Sequence, residues 1–251
     1  MSILGGYISV SNAIIGNKRK LINVYYDKDR MDKVFSSKYH LSEKKQYTEL
    51  KKYCEINKIR PIYKSKEFFD NISASCGGIA AEFSDRKFSD INDLFNKKEP
   101  YLVYLEGIED PFNFGYVLRS LYLSGCDGVI LQQRNFFTSD DIVVRASAGT
   151  SELLDISLCD DISEYYETIK NKNIKIICTG KEGSISIYDA NLRKPLLLVI
   201  GGERRGISKS FSKLSDSVIE IPYGIESNIS LSASSAASIL AFEVFRNNRK
   251  N

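Results

Sequence analysis

Asn113 and Arg119 stand six residues apart in the stretch Tyr101 to Leu131, YLVYLEGIEDPFNFGYVLRSLYLSGCDGVIL. An amide and a guanidinium at this spacing offer hydrogen bonds and fixed positive charge. They do not offer ready proton abstraction, because a guanidinium is almost never deprotonated in a protein. The surrounding elements decide where these groups lie. Tyr101 to Leu105 is an apolar run that reads as a buried strand, and Gly107, Asp110, Pro111 and Asn113 punctuate a turn. From Phe114 the apolar residues Val117, Leu118, Leu121 and Tyr122 recur at helical spacing, and Gly125 stops the helix. Val129-Ile130-Leu131 follows as a second strand, so the stretch opens a parallel sheet. Asn113 is then at the mouth of the helix and Arg119 one to two turns in, near the carboxyl edge where open α/β sheets bind ligands. An ordinary strand–helix–strand unit with a surface arginine is the alternative.

Two further stretches have chemical potential. Leu196 to Ile200 is the most apolar strand in the chain, and Gly201-Gly202-Glu203-Arg204-Arg205-Gly206 follows it. Glycines there let backbone N–H groups approach a ligand, although a plain tight turn explains them equally. The spacing is not that of a dinucleotide-binding G-x-G-x-x-G. Nor is Thr179-Gly180-Lys181 a phosphate loop, since Lys175 occupies the required upstream glycine and Glu182 replaces Ser/Thr. Near the C-terminus, Ser230-Leu231-Ser232-Ala233-Ser234-Ser235-Ala236 heads an Ala/Ser-rich helix from Ala233 to Arg246. Those serines suit either helix capping or ligand contact.

The 251 residues are enough for one large domain or two small ones, and 43% hydrophobic with 27% charged residues is ordinary for a soluble globular chain. No apolar run approaches the ~20 residues of a membrane span, and the N-terminus lacks a signal pattern, so a cytoplasmic protein without membrane contact is expected. Cys54, Cys76, Cys126, Cys159 and Cys178 are scattered, and His40 is the single histidine. Reduced thiols are expected, with no metal site and no histidine-based triad. Residues 1–90 carry 17 Lys+Arg against 11 Asp+Glu, whereas residues 91–251 carry 18 against 21. A basic front end fits either a polyanion-binding module or a solvated lysine-rich surface.

Along the chain, residues 1–83 read as a small α/β unit in the order helix (Ile8 to Ile15), strand (Leu21 to Tyr26), helix (Leu50 to Ile56), strand (Pro61 to Tyr63), helix (Phe68-Phe69), strand (Ile79 to Phe83). Lys18-Arg19-Lys20 reads as a basic turn, and the polar stretch 84–100 as a linker. Residues 101–251 then alternate strand and helix. Helices are expected over Ser139 to Ala146 and Asp161 to Lys170, with strands at Ile174 to Cys178 and Val218 to Ile221.

The pattern D-P-x-N-x-G-x-x-x-R, formed by Asp110, Pro111, Asn113, Gly115 and Arg119, resembles the first motif of the SpoU (TrmH-type) RNA ribose methyltransferases. The family's second motif, strand-G-x-E-x-x-G, is matched by Gly201, Glu203 and Gly206. Its third, S-L-N-x-S-x-A, is matched from Ser230 to Ala236 with Ser232 in place of the family's Asn. A register using Asn228-Ile229-Ser230 needs a four-residue shift of the helix. Ser147-Ala148-Gly149 also matches, and the likeness spans roughly residues 101–249.

The resemblance implies the SPOUT fold, a parallel sheet with helices on both faces and a trefoil knot, preceded by a small α/β RNA-binding domain as in RlmB-like enzymes. That domain often carries His-Gln-Gly-Val where this chain has Cys76-Gly77-Gly78-Ile79. It implies S-adenosylmethionine as cofactor, touching Thr179, Gly180, Gly201, Gly202, Ile221 and Leu231, and a homodimer that builds the RNA site from both subunits. By the same carry-over, Asn113, Arg119, Glu203 and Ser230 serve methyl transfer to a ribose 2′-OH of ribosomal RNA. The same chemistry on tRNA, or a catalytically silent RNA-binding protein, are the competing readings. A conventional nucleotide-binding α/β protein lacks its phosphate loop.

Overall fold

Strands and helices are interspersed from the second residue onward in the structure, a computed structural model that describes residues 1–73, 75–133, 140–202, 206–226 and 229–249, without the side chains of 209 and 210. The first elements are β1 (Ser2–Gly5), α1 (Tyr7–Gly16), β2 (Leu21–Asp27), α2 (Lys28–Ser36), α3 (Leu41–Ile56), β3 (Ile62–Lys64), α4 (Lys66–Ile72) and β4 (Ile79–Phe83). Then come α5 (Ile91–Phe95), β5 (Tyr101–Glu106), α6 (Pro111–Leu123), β6 (Gly128–Gln132), α7 (Asp140–Ala146), β7 (Ile156–Cys159), α8 (Tyr166–Asn171), β8 (Lys175–Thr179) and β9 (Ile185–Ser186). The last are β10 (Leu196–Gly201), α9 (Lys209–Ser212), β11 (Ser217–Glu220) and α10 (Ala233–Asn248).

The chain divides into two compact units, Met1–Lys87 with Ser139–Leu153, and Phe88–Thr138 with Leu154–Asn251. In the first, a four-stranded sheet has the order β1-β4-β2-β3, with β4 antiparallel to β1 and β2, and β3 parallel to β2. Leu4, Val10, Val24, Tyr26, Tyr47 and Phe83 fill its core, and Val144 of α7 joins them. Segment 139–153 follows β6 in the sequence but packs within the first unit.

An ionic cluster fixes that segment. The Arg19 side chain is 1% exposed; its Nε donates to Glu152 Oε2 at 2.9 Å and its Nη1 to Asp140 Oδ2 at 2.9 Å. Arg86 Nη1 donates to Glu152 Oε1 at 3.1 Å and to the Ser151 carbonyl at 2.8 Å. Burial opposes the charge on Arg19, and the carboxylates of Glu152 and Asp140 outweigh it, so its pKa is raised. Arg19 is therefore an internal structural charge, not an exposed member of a basic turn.

The second unit is built on seven strands, all parallel, in the order β7-β6-β5-β10-β8-β11-β9. Leu102, Tyr104, Leu197, Val199 and Ile176 pack in one cluster with Ile162, Ile169 and Phe211. The alternating residues Tyr101, Val103, Leu196 and Leu198 are equally buried, as expected of a parallel sheet covered on both faces. The stretch 84–100 is not wholly a linker. Ile91, Leu94 and Phe95, spaced i, i+3, i+4, form α5 and pack into the same cluster. All five cysteines are buried and none is in a disulfide. Burial pushes the thiols of Cys126, Cys159 and Cys178 up to about 12, so they stay protonated and unreactive near neutral pH.

Candidate active site

Parallel strands aim their carboxyl ends at one edge of the sheet, and at that edge β8, β10 and β11 open into a cavity of about 1000 Å³. Thr179, Gly180, Gly201, Gly202, Ile221 and Leu231, the six residues expected to touch a cofactor, all line it, as does Ser230. Its remaining wall is mostly apolar, with Ile200, Ile219, Ala236 and Leu240. Those residues span more than sixty positions and come from three strands, the last loop and α10.

The glycines are needed for a reason other than ligand approach. Gly206 N–H donates to the Gly202 carbonyl at 3.1 Å, closing the loop on itself. A Cβ on Gly201 would lie 2.6 Å from the Gly206 carbonyl carbon, and one on Gly202 would lie 2.1 Å from the Gly107 oxygen. Backbone packing alone therefore demands glycine at both positions. Gly201 N–H also donates to Thr179 Oγ1 at 3.4 Å, linking β10 to β8. Glu106, the last residue of β5, pairs with Gly201 across the sheet and its Oε2 accepts from Ser208 N–H at 3.2 Å. Glu106 thus ties the segment after the glycine loop to the strand that precedes the helix carrying Asn113. Sequence reasoning passed over it, although its place at the end of an apolar strand was a usable signal. Tyr223 was passed over as well; its hydroxyl accepts from Leu231 N–H at 3.1 Å across the mouth of the cavity.

The helix of the first motif is set by local chemistry. Asp110 caps α6 by accepting from Asn113 N–H at 2.8 Å, and Pro111 occupies the first turn, where a missing N–H costs nothing. The Asn113 side chain turns to α10, where its Oδ1 accepts from Ser234 Oγ at 3.3 Å. Seven residues on, Ser120 Oγ meets Ser238 Oγ at 2.7 Å, so one face of α6 is stitched to α10. Ser232 caps α10 by accepting from Ser235 N–H at 3.2 Å. Arg119 lies off that stitched face, on an exposed stripe with Phe112, Tyr116 and Leu123. It does not line the cavity, and its side chain makes no hydrogen bond or ion pair with a described residue. Of the four expected catalytic residues, Ser230 is at the cavity, Asn113 is joined to a helix that walls it, and Arg119 is on the adjoining surface. Glu203 lies outside the described residues.

Among the described residues there is no group of three or more His, Cys, Asp or Glu that could hold a metal ion, and no helix long and apolar enough to cross a membrane. Residues 100–242 match the family described as the SpoU rRNA Methylase family. An uncharacterized tRNA/rRNA methyltransferase of Synechocystis is 32% identical over 179 residues, 69% of this chain but 46% of that protein. A Staphylococcus saprophyticus protein assigned to the TrmH family of tRNA/rRNA methyltransferases is 31% identical over 194 residues, 75% of this chain and 77% of its own. Among solved structures, the AdoMet-bound rRNA methyltransferase of Sinorhizobium meliloti has a TM-score of 0.78 at 18% identity, covering 99% of this chain and 88% of that one.

Proposed function

Because the chain belongs to the SpoU rRNA methylase family, we propose that it transfers a methyl group from S-adenosylmethionine to a ribose 2′-hydroxyl of RNA, with ribosomal RNA as the substrate. The observation that carries this reading is the convergence of Thr179, Gly180, Gly201, Gly202, Ile221, Ser230 and Leu231 on one cavity at the carboxyl edge of the parallel sheet. The donor set fits the cofactor. Apolar walls from Ile200, Ile219 and Ile221 suit an adenine ring, the glycine loop offers backbone groups, and charged side chains stand at the rim.

The bound group supplies a methyl on a sulfonium, itself a good leaving group. What the protein must add is alignment, together with help in removing the hydroxyl proton. In this reading Arg119 grips an RNA phosphate and polarises the 2′-oxygen, using a planar fork no ammonium reproduces. Asn113, held by Ser234, and Glu203 orient the ribose, and Ser230 adds a hydrogen bond from the cavity rim. The basic first unit binds the RNA around the target.

The protein acts in the cytoplasm as a homodimer. Phe112, Tyr116 and Leu123 on α6 and Phe242 and Phe245 on α10 are each 44–58% exposed, an apolar surface on two packed helices that a second copy would cover. Arg119 shares the α6 stripe, so pairing would bring it to the RNA site assembled by both subunits. The test compares 2′-O-methyl positions in RNA from cells with and without the protein, followed by methylation of the identified RNA in vitro. One ribosomal position should lose its methyl without the protein. Loss confined to tRNA would move the substrate, and unchanged RNA with no binding of S-adenosylmethionine would overturn the reading.

A further inference from the structure

Several charged side chains of the second unit are engaged with the protein. Lys97 bonds Asp155 at 2.7 Å, Lys170 bonds Asp216 at 2.6 Å and Lys194 bonds Asp127 at 3.0 Å. Three charges that line the cavity are not so engaged. Lys181 follows β8, Glu220 ends β11 and Glu226 follows it; all three line the cavity. None makes an ion pair or a side-chain hydrogen bond with a described residue. β8 and β11 are neighbours in the sheet, so the segments that follow them bring Lys181 and Glu226 to the same cavity.

Unpaired charges of both signs at the mouth of a largely apolar cavity call for a ligand whose charged end is a zwitterion. S-adenosylmethionine carries one carboxylate and two cationic centres, the α-ammonium and the sulfonium. Lys181, Glu220 and Glu226 together present the inverse set, one cation and two carboxylates. Resting on the cofactor assignment above, we propose that Lys181 and Glu226 select the amino-acid end of the cofactor, Lys181 binding its α-carboxylate and Glu226 its α-ammonium, while Glu220 completes the charge balance. The apolar wall and glycine loop would hold the nucleoside end without help from either residue.

Calorimetry on the full chain separates these contributions with three ligands. S-adenosylhomocysteine has both the carboxylate and the ammonium, decarboxylated S-adenosylmethionine keeps the ammonium and the sulfonium but no carboxylate, and 5′-methylthioadenosine has none of the three. Lys181→Met should weaken S-adenosylhomocysteine about tenfold and leave the other two ligands within about twofold. Glu226→Gln should weaken S-adenosylhomocysteine and decarboxylated S-adenosylmethionine about tenfold and spare 5′-methylthioadenosine. Retained binding of 5′-methylthioadenosine shows that each variant is folded. Equal weakening of all three ligands, or unchanged affinity for S-adenosylhomocysteine, overturns the proposal and leaves the cofactor assignment standing. A wild-type protein that binds none of the three overturns both.

Discussion

Arg19 of the first unit and Lys181 of the second are both cations in short connections beside a strand, and the structure treats them in opposite ways. Arg19 is sealed at 1% exposure between Asp140 and Glu152. Lys181 stays exposed at a cavity with no described partner. The same contrast holds for the carboxylates. Glu152, 1% exposed, is bonded to two arginines, whereas Glu226 meets only the cavity. Charge that has found its counter-charge within the fold does structural work and is withdrawn from RNA. Charge without a partner, beside a concave surface, is what a ligand can use. Net charge alone therefore overstates the positive charge that the first unit can offer a polyanion, because Arg19 and Arg86 are spent internally.

Breaking the internal cluster should give the largest effect. Glu152→Ala strips Arg19 and Arg86 of a shared carboxylate at a site closed to water, and urea unfolding should show a loss of about 3–5 kcal/mol. Lys45→Ala removes the exposed pair with Glu49, at 3.8 Å, and should change stability by less than about 0.5 kcal/mol. Equal losses would mean that burial does not distinguish the two kinds of pair.

Local pattern made the capped helix of the first motif legible and hid the role of the buried arginine. Asp110, Pro111 and the periodic apolar residues of α6 are contiguous, so the capped helix and its motif could be read directly. The residues expected to touch a cofactor, which the fold brings to one cavity, could be named only through three ordered motifs, since Thr179, Gly201 and Leu231 share no local pattern. Arg19 looked like part of a basic turn because its partners lie 121 and 133 residues away. Nothing short-range tells a lysine-rich turn from one whose central arginine is swallowed by the fold. The helix α5 was readable, with Ile91, Leu94 and Phe95 at helical spacing, but the polar residues around it masked the signal. The central place of β10 between β5 and β8 is a long-range pairing with no local signature.

The unpartnered side of the comparison is tested next by Arg119. An exposed arginine on α6 contributes little to folding, so Arg119→Ala should change stability by no more than about 0.5 kcal/mol. If its guanidinium grips RNA and assists the 2′-oxygen, single-turnover methylation should fall by about 3 kcal/mol, roughly a hundredfold. Arg119→Lys should be nearly as slow, because the ammonium lacks the planar fork. Affinity for S-adenosylhomocysteine should be unchanged in both variants, since Arg119 does not line the cavity. A near-normal rate in Arg119→Ala would place this residue with the solvated surface charges.

The smallest effect sharpens the same distinction among uncharged groups. Ser232 occupies the family's Asn position in the preferred register, yet in the fold its Oγ is committed to Ser235 N–H as the cap of α10. Two residues earlier, Ser230 lines the cavity. A cap is worth about 1 kcal/mol, and Asn caps as well as Ser. Ser232→Ala should therefore lower the melting temperature by roughly 2–4 °C, while Ser232→Asn leaves it nearly unchanged. Ser230→Ala should do the reverse, sparing the melting temperature and slowing methylation. The discriminating measurement is the ratio of rate loss to stability loss in each variant. A methylation defect in Ser232→Ala well beyond what its lost stability explains would mean that the capping hydroxyl also reaches the reaction, and that engagement within the fold does not preclude a role at the site.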